Sequence, residues 1–301
     1  YSSIDREAAV TYRQPFFMIS DLSLAASAFL RFEVETNYTV QRIGASGRLG
    51  YRVNRNIQSR FSVTAEHDDF SDFDEGTLIP ELGRNFINPS RLIFADAVVT
   101  YDDTDSLFRP SRGYRANAAY QLGLPILTGD YGYHRLTVQV VRYFEVREGW
   151  VLATKVLPGA IFTYGGDAAR VPLFQRLFAG GASSVRGFER RQLGPKDDPA
   201  TFGQSRDPEP IGGNGLFQSS IELRFPIRGN WRGAAFVDAG NVWDDAGDIS
   251  PGDLEYTPGA GVRYTTPVGP VRLDLAWRMS GDERDDHLPA WVFHISIGEA
   301  F

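Results

Sequence analysis

VQRIGASGRLGYRVNRNIQSRFSVTAEH, residues Val40–His67, holds two alternating runs about one short polar break. In the first run Ile43, Ala45, Gly47, Leu49, Tyr51 and Val53 share one face, and Arg42, Gly44, Ser46, Arg48, Gly50 and Arg52 share the other. In the second, Ile57, Ser59, Phe61, Val63 and Ala65 alternate with Gln58, Arg60, Ser62, Thr64 and Glu66. A period of two sends successive side chains to opposite sides of an extended chain, so both runs are strands rather than helices. The polar Asn54–Asn56 break between them is a tight turn.

The same period runs outward in both directions. Leu22, Leu24, Ala26, Ala28, Leu30, Phe32 and Val34 form one face of an earlier run. Phe217 to Phe225 and Val271 to Trp277 repeat the pattern, with Glu222 and Asp274 on the polar side. Trp291, Phe293, Ile295, Ile297 and Phe301 share one face of the last run, broken only by Glu299. Thirteen strands are predicted, near 4–14, 21–34, 40–53, 57–67, 91–101, 113–123, 134–146, 150–164, 215–226, 232–241, 255–265, 271–279 and 291–301. Their lengths suit the roughly 9–11 residues that a tilted strand needs to cross a bilayer. No amphipathic helix stands out.

Alternation fits two folds. In a soluble sandwich the apolar face is the core; in an outer-membrane barrel it meets lipid and the polar face lines the lumen. The connections decide between them. Short turns at 54–56, 147–149, 226–231 and 266–270 alternate with long loops at 68–89, 165–214, 242–254 and 280–290. Short periplasmic turns and long external loops mark an outer-membrane barrel. The 21 Phe, 13 Tyr, 5 Trp and 31 Gly suit interfacial aromatic belts and tight turns. No run approaches the roughly 18 apolar residues of a membrane helix.

Other classes find little support. The net charge of -7 argues against a nucleic-acid partner, which needs a clustered basic surface. No cysteine is present, so neither disulfides nor thiolate zinc sites are available. His67, His134, His287 and His294 are scattered without metal-ligand spacing. Gly180, Gly181 and Gly187 permit sharp loop bends; as a phosphate cradle they fail, because no Lys-Ser/Thr follows. Three acidic groups, Asp68, Asp69, Asp72, Asp74 and Glu75, then Asp244, Asp245 and Asp248, then Asp282, Glu283, Asp285 and Asp286, read as solvated external loops. No G-x-S-x-G or local Ser-His-Asp pattern points to an enzyme, and no cofactor is expected.

The strand count carries one more expectation. The last strand follows a long loop and so runs toward the periplasm. Counting back through thirteen places Tyr1 outside, whereas barrels normally have an even number of strands and both ends in the periplasm. An odd number of strands is therefore expected before Tyr1; a miscounted strand is the alternative.

LFQRLFAGGASSVRGF, residues Leu173–Phe188, opens the longest loop and resembles the sixth external loop of the BamA/TamA family of outer-membrane assembly factors (the bacterial surface antigen family), with Val185, Arg186, Gly187 and Phe188 as its motif. Ser220–Trp243 resembles the next two strands, with F-x-D-x-G at Phe236, Asp238 and Gly240. Gly259–Ala276, the closing FHISIGEAF and the upstream RPSRGY at Arg109–Tyr114 also match. The loop wording and the ending are most similar to the TamA type.

The resemblance implies an all-β antiparallel transmembrane barrel of sixteen strands, thirteen of them here, with the long loop folded into the lumen. Residues 1–301 are then one barrel domain whose first three strands and periplasmic POTRA domains are absent. It implies that Arg186 meets Asp238 and Glu222 on the wall, with Phe236 and Phe188 stacked beside it. The last strand, with Trp291, Phe293, Ile295, Ile297, Gly298 and Phe301, becomes a folding signal and one lip of a gate. The implied function is insertion or translocation of outer-membrane proteins such as autotransporters in a Gram-negative bacterium. Implied partners are client polypeptides, outer-membrane lipid and lipopolysaccharide, and a periplasm-spanning TamB-like subunit. A passive channel or polypeptide secretion pore is the alternative.

Overall fold

The computed structural model describes residues 4–34, 39–71, 87–126, 129–166, 171–197, 208–267, 269–279 and 288–301. Thirteen strands form one antiparallel sheet in sequence order. They are β1 (Ile4–Gln14), β2 (Leu22–Val34), β3 (Thr39–Arg52), β4 (Ile57–Ser71), β5 (Ser90–Asp102), β6 (Gly113–Gly123), β7 (Tyr133–Arg147), β8 (Trp150–Thr163), β9 (Gly215–Arg228), β10 (Trp231–Trp243), β11 (Glu255–Thr266), β12 (Gly269–Trp277) and β13 (Trp291–Ile297). Every predicted strand forms, and the described helical segments are single 3-10 turns.

The register sorts the two faces. Ile43, Phe61, Val63, Val237, Leu273, Leu275 and Phe293 all lie on an exposed apolar face. Their sequence neighbours on the other face include Arg42, Ser62, Asp238, Arg272 and Asp274, which are buried. This inverts a soluble protein, where exposed faces are polar, and fits a wall with lipid on one side. Aromatic pairs sit at both ends of the apolar face. Trp231 packs on Tyr264 at 5.0 Å between centroids at the short-turn end, and Trp277 on Trp291 at 6.0 Å at the long-loop end. Such belts hold a barrel in register with the two interfaces.

Part of the polar face is covered by the long connection between β8 and β9. Leu173 and Ile211 of this loop pack on Val40 and Phe70 of β3 and β4. Val171, Leu177, Ala179, Val185, Phe188 and Leu193 join Leu92, Tyr133, Ile161, Leu216 and Val242 in a larger cluster. One loop thus touches strands at both sides of the sheet. Isolated bridges Leu177 to Gly213 and Ala179 to Leu193 satisfy part of its own backbone.

Two boundaries differ by more than two residues from the sequence prediction. β4 continues to Ser71, so Asp68 and Asp69 are strand residues, and Asp68 is fully buried rather than solvated. Asn88 clamps this extension, its side chain bonding both the N–H and the carbonyl of Phe70 at 2.9 Å. Asp72, Asp74, Glu75, the acidic group at 282–286 and His287 lie outside the described residues. β13 ends early, at Ile297, and Phe301 does not share the face of Trp291 and Phe293. It packs instead against Val141, Tyr143, Val151 and Ala153. Tyr143 faces Ala153 across the ladder, on the polar side. The cause is Gly298, whose φ of 95° takes the chain out of the extended region and off the ladder.

Candidate functional site

Strand register brings the site together. On β9 and β10, Ser220 lies opposite Asp238, and Glu222 opposite Phe236. Thr257 of β11 lies opposite Asp238, and Asp274 of β12 opposite Gly261. His294 of β13 lies opposite Asp274. All of these point to the polar face, and the VRGF turn of the loop descends on them.

Arg186 is the centre. Its Nε and Nη2 donate to the two oxygens of Asp238 at 2.7 and 2.8 Å, a bidentate pair. Nη1 donates to Glu222 at 2.6 Å, and the backbone N–H of Arg186 also donates to Asp238, at 3.1 Å. The guanidinium carbon stands 3.2 Å from the centroid of the Phe236 ring. Arg186 is 1 % exposed, and Glu222 and Asp238 are 0 % exposed. Burial alone would favour the neutral guanidine; hydrogen bonding and attraction from Asp238 and Glu222 outweigh it and raise the pKa above the ordinary arginine value.

The close fit has steric requirements at two glycines. A Cβ on Gly187 would run into Cγ2 of Thr257, and one on Gly240 would meet Val185 Cγ2 at 3.0 Å. Gly187 therefore serves close approach, not the sharp bend expected from the sequence; Gly180 and Gly181, at φ 101° and 110°, supply the bends. Phe188 also differs from expectation. It is buried in the loop cluster, and its cationic neighbour is Arg278, not Arg186.

The sequence did not single out the wider network. Arg224 Nε donates to Glu222 at 2.7 Å, and Arg263 Nη2 to the same carboxylate at 3.1 Å. Arg263 Nη1 donates to Asp274, and Arg272 pairs with Asp274 at 3.5 Å. Four buried arginines thus share three buried carboxylates. Ser220 donates to Asp238 at 2.6 Å, and His294 Nε2 meets the carbonyl oxygen of Arg186 at 2.9 Å. Lys155 Nζ donates to the Ser183 carbonyl at 2.7 Å, pinning the loop from β8. Each residue sits on the polar face by parity, but many others do as well. Only the register between strands selects these, and polar-face parity alone does not give it.

The second acidic group behaves differently from a free loop. Asp244, just after β10, reaches Arg176 of the long loop at 3.7 Å. Of the expected last-strand residues, Trp291, Phe293, Ile295 and Ile297 are exposed on the apolar face.

A thirteen-stranded antiparallel wall, apolar outside, with a loop arginine locked to acids on its inner face, defines an outer-membrane type of β-barrel. Residues 1–301 match the Omp85 superfamily domain, and the chain belongs to that family. It is similar to the outer membrane protein assembly factor BamA of Neisseria meningitidis serogroup B, 24% identical over 354 residues, which cover 97% of this chain and 41% of the relative. A second assembly factor BamA, from Nitratidesulfovibrio vulgaris, is 24% identical over 298 residues, 97% of this chain and 36% of the relative. The chain thus spans about two fifths of the length of these relatives. Among solved structures, BamA from Haemophilus ducreyi lacking POTRA domains 1-3 matches with a TM-score of 0.80 and 24% identity, over 96% of this chain and 61% of that one. That likeness shows the same barrel fold.

Proposed function

We propose that this chain is the barrel part of a factor that inserts other β-barrel proteins, autotransporters among them, into the outer membrane of a Gram-negative bacterium. The observation that carries this is the buried bidentate Arg186–Asp238 pair, which fixes the loop of an Omp85 chain to its wall. Two relatives that match nearly the whole chain are named outer membrane protein assembly factors. No nucleotide or catalytic group is required, because transfer of a client's apolar face into lipid supplies the driving force.

In this reading the sheet belongs to a sixteen-stranded barrel completed by strands that precede β1, with POTRA domains before them. The described parts of the loop, residues 171–197 and 208–213, occupy the lumen, and Arg186 is their anchor. β13 is one lip of a gate, and a client strand adds to an exposed edge through main-chain hydrogen bonds. Client polypeptides, lipid and lipopolysaccharide are the partners. The wording of RLFAGGASSVRGF and ISIGEAF supports the finer placement with TamA-type chains and their TamB-like subunit.

Depletion of the full-length protein in its host tests the proposal. Steady-state levels of barrel proteins and autotransporters in the outer membrane are expected to fall. Normal levels of both, with reduced permeability to small solutes, would instead identify a passive channel.

A further inference from the structure

The segment after β13 fills a built seat on a different part of the sheet. Gly298 still donates its N–H to the Pro270 carbonyl at 2.8 Å, and the chain then turns onto the polar face. Tyr143 donates its hydroxyl to the Phe301 carbonyl at 2.7 Å. The Phe301 ring has Lys155 Nζ 5.4 Å and the Arg224 guanidinium 5.6 Å from its centroid. Glu299 lies 3.5 Å from Arg224 Nε. Tyr143, Lys155 and Arg224 are all buried, so these contacts are made away from bulk water, where cation–π and charge-assisted contacts are strongest.

The seat is not fully used by its occupant. Arg224 Nη1 and Nη2 are buried without a hydrogen-bond partner, and so is Glu299 Oε2. Buried donors left unmade cost free energy. A segment that places a carboxylate on both nitrogens gains what Glu299 leaves unclaimed. The present occupancy is therefore open to exchange, unlike the Arg186 lock, where each carboxylate oxygen of Asp238 accepts a guanidinium N–H.

We propose that the polar face of β7, β8 and β9 is a peptide-binding site for an acidic residue followed two positions later by an aromatic one. Glu299 and Phe301 fill it in cis, and a second polypeptide of the same chemistry fills it by displacing them. The seat lies toward the short-turn end of these strands, and its vacation frees Gly298–Phe301 to prolong β13. The inference does not depend on the assembly reading, since it concerns recognition of a peptide by this wall.

Two measurements on the full-length protein in membrane vesicles test it. A photoreactive benzophenone analogue of Phe at position 301 is expected to cross-link to 141–143 and 151–155. Excess synthetic FHISIGEAF should lower that cross-link about tenfold, whereas FHISIGEAA and FHISIGAAF should leave it unchanged. Fluorescent FHISIGEAF should also bind Phe301→Ala more tightly than the wild type, and Tyr143→Phe in that background should weaken it roughly three- to tenfold. Cross-links elsewhere, equal displacement by the alanine peptides, or equal binding to the wild type and Phe301→Ala would each overturn the proposal.

Discussion

Arg186 and Asp238 form a bidentate pair at 2.7 and 2.8 Å between a loop and a strand, 52 residues apart in sequence and closed to solvent. Such a pair contributes little to stability compared with an apolar replacement of both partners, yet removal of one partner is costly, because it strands a buried charge. Its role is therefore to fix where the loop sits. Arg186→Ala is expected to lower stability by about 3–5 kcal/mol, and Arg186→Lys to recover only part, since a lysine cannot make the forked contact. Urea unfolding in detergent reads both. A loss below about 1 kcal/mol for Arg186→Ala would mean that the pair is solvated in the membrane-bound protein.

Gly187 tests the closeness of the loop to β11. Gly187→Ala should cost about 1–3 kcal/mol through overlap with Thr257 Cγ2. Thr257→Ser removes that methyl group and should restore much of the loss. A thermal-melt double-mutant cycle checks the coupling, and strictly additive effects would place the loop away from Thr257.

His294 ties β13 to the loop through the Arg186 carbonyl at 2.9 Å. His294→Ala is expected to weaken this tie by about 1 kcal/mol. Hydrogen exchange of the backbone amides in 291–297 should then speed up, while β5 and β6 stay unchanged. Equal acceleration across the sheet would point to general unfolding.

The two faces of β12 and β13 should respond in opposite ways to charge. Leu275→Arg, on the exposed apolar face, should cost about 2–4 kcal/mol in a bilayer near its midplane, and Leu273→Arg should behave alike. Ser296→Arg lies on the polar face opposite Arg272 and should insert normally in spite of added repulsion. Folding yields into lipid vesicles distinguish these, and a tolerated Leu275→Arg would contradict the lipid-facing assignment.

The strand plan was legible in the residues because lipid demands an apolar side chain at every second position across the bilayer. Where that demand ends, the pattern ends before the strand does. Asp68 and Asp69 follow the apolar run of β4, yet the ladder with β3 continues to Ser71. The opposite happened at β13, where Phe301 keeps the parity of Ile297 but a left-handed Gly298 breaks the ladder. In the site, the motif wording led to Arg186, Glu222, Phe236 and Asp238. Arg224, Arg263, Arg272, Asp274 and His294 were hidden, because parity puts many residues on the polar face and only the register across β9 to β13 selects these.

Protease accessibility of residues 165–214 in outer-membrane vesicles tests the central claim, that Arg186 holds the loop against the inner wall. The wild-type loop should resist proteinase K, and Arg186→Ala should be cut there while β1–β8 remain intact. Identical cleavage of the two proteins within 165–214 would contradict the claim.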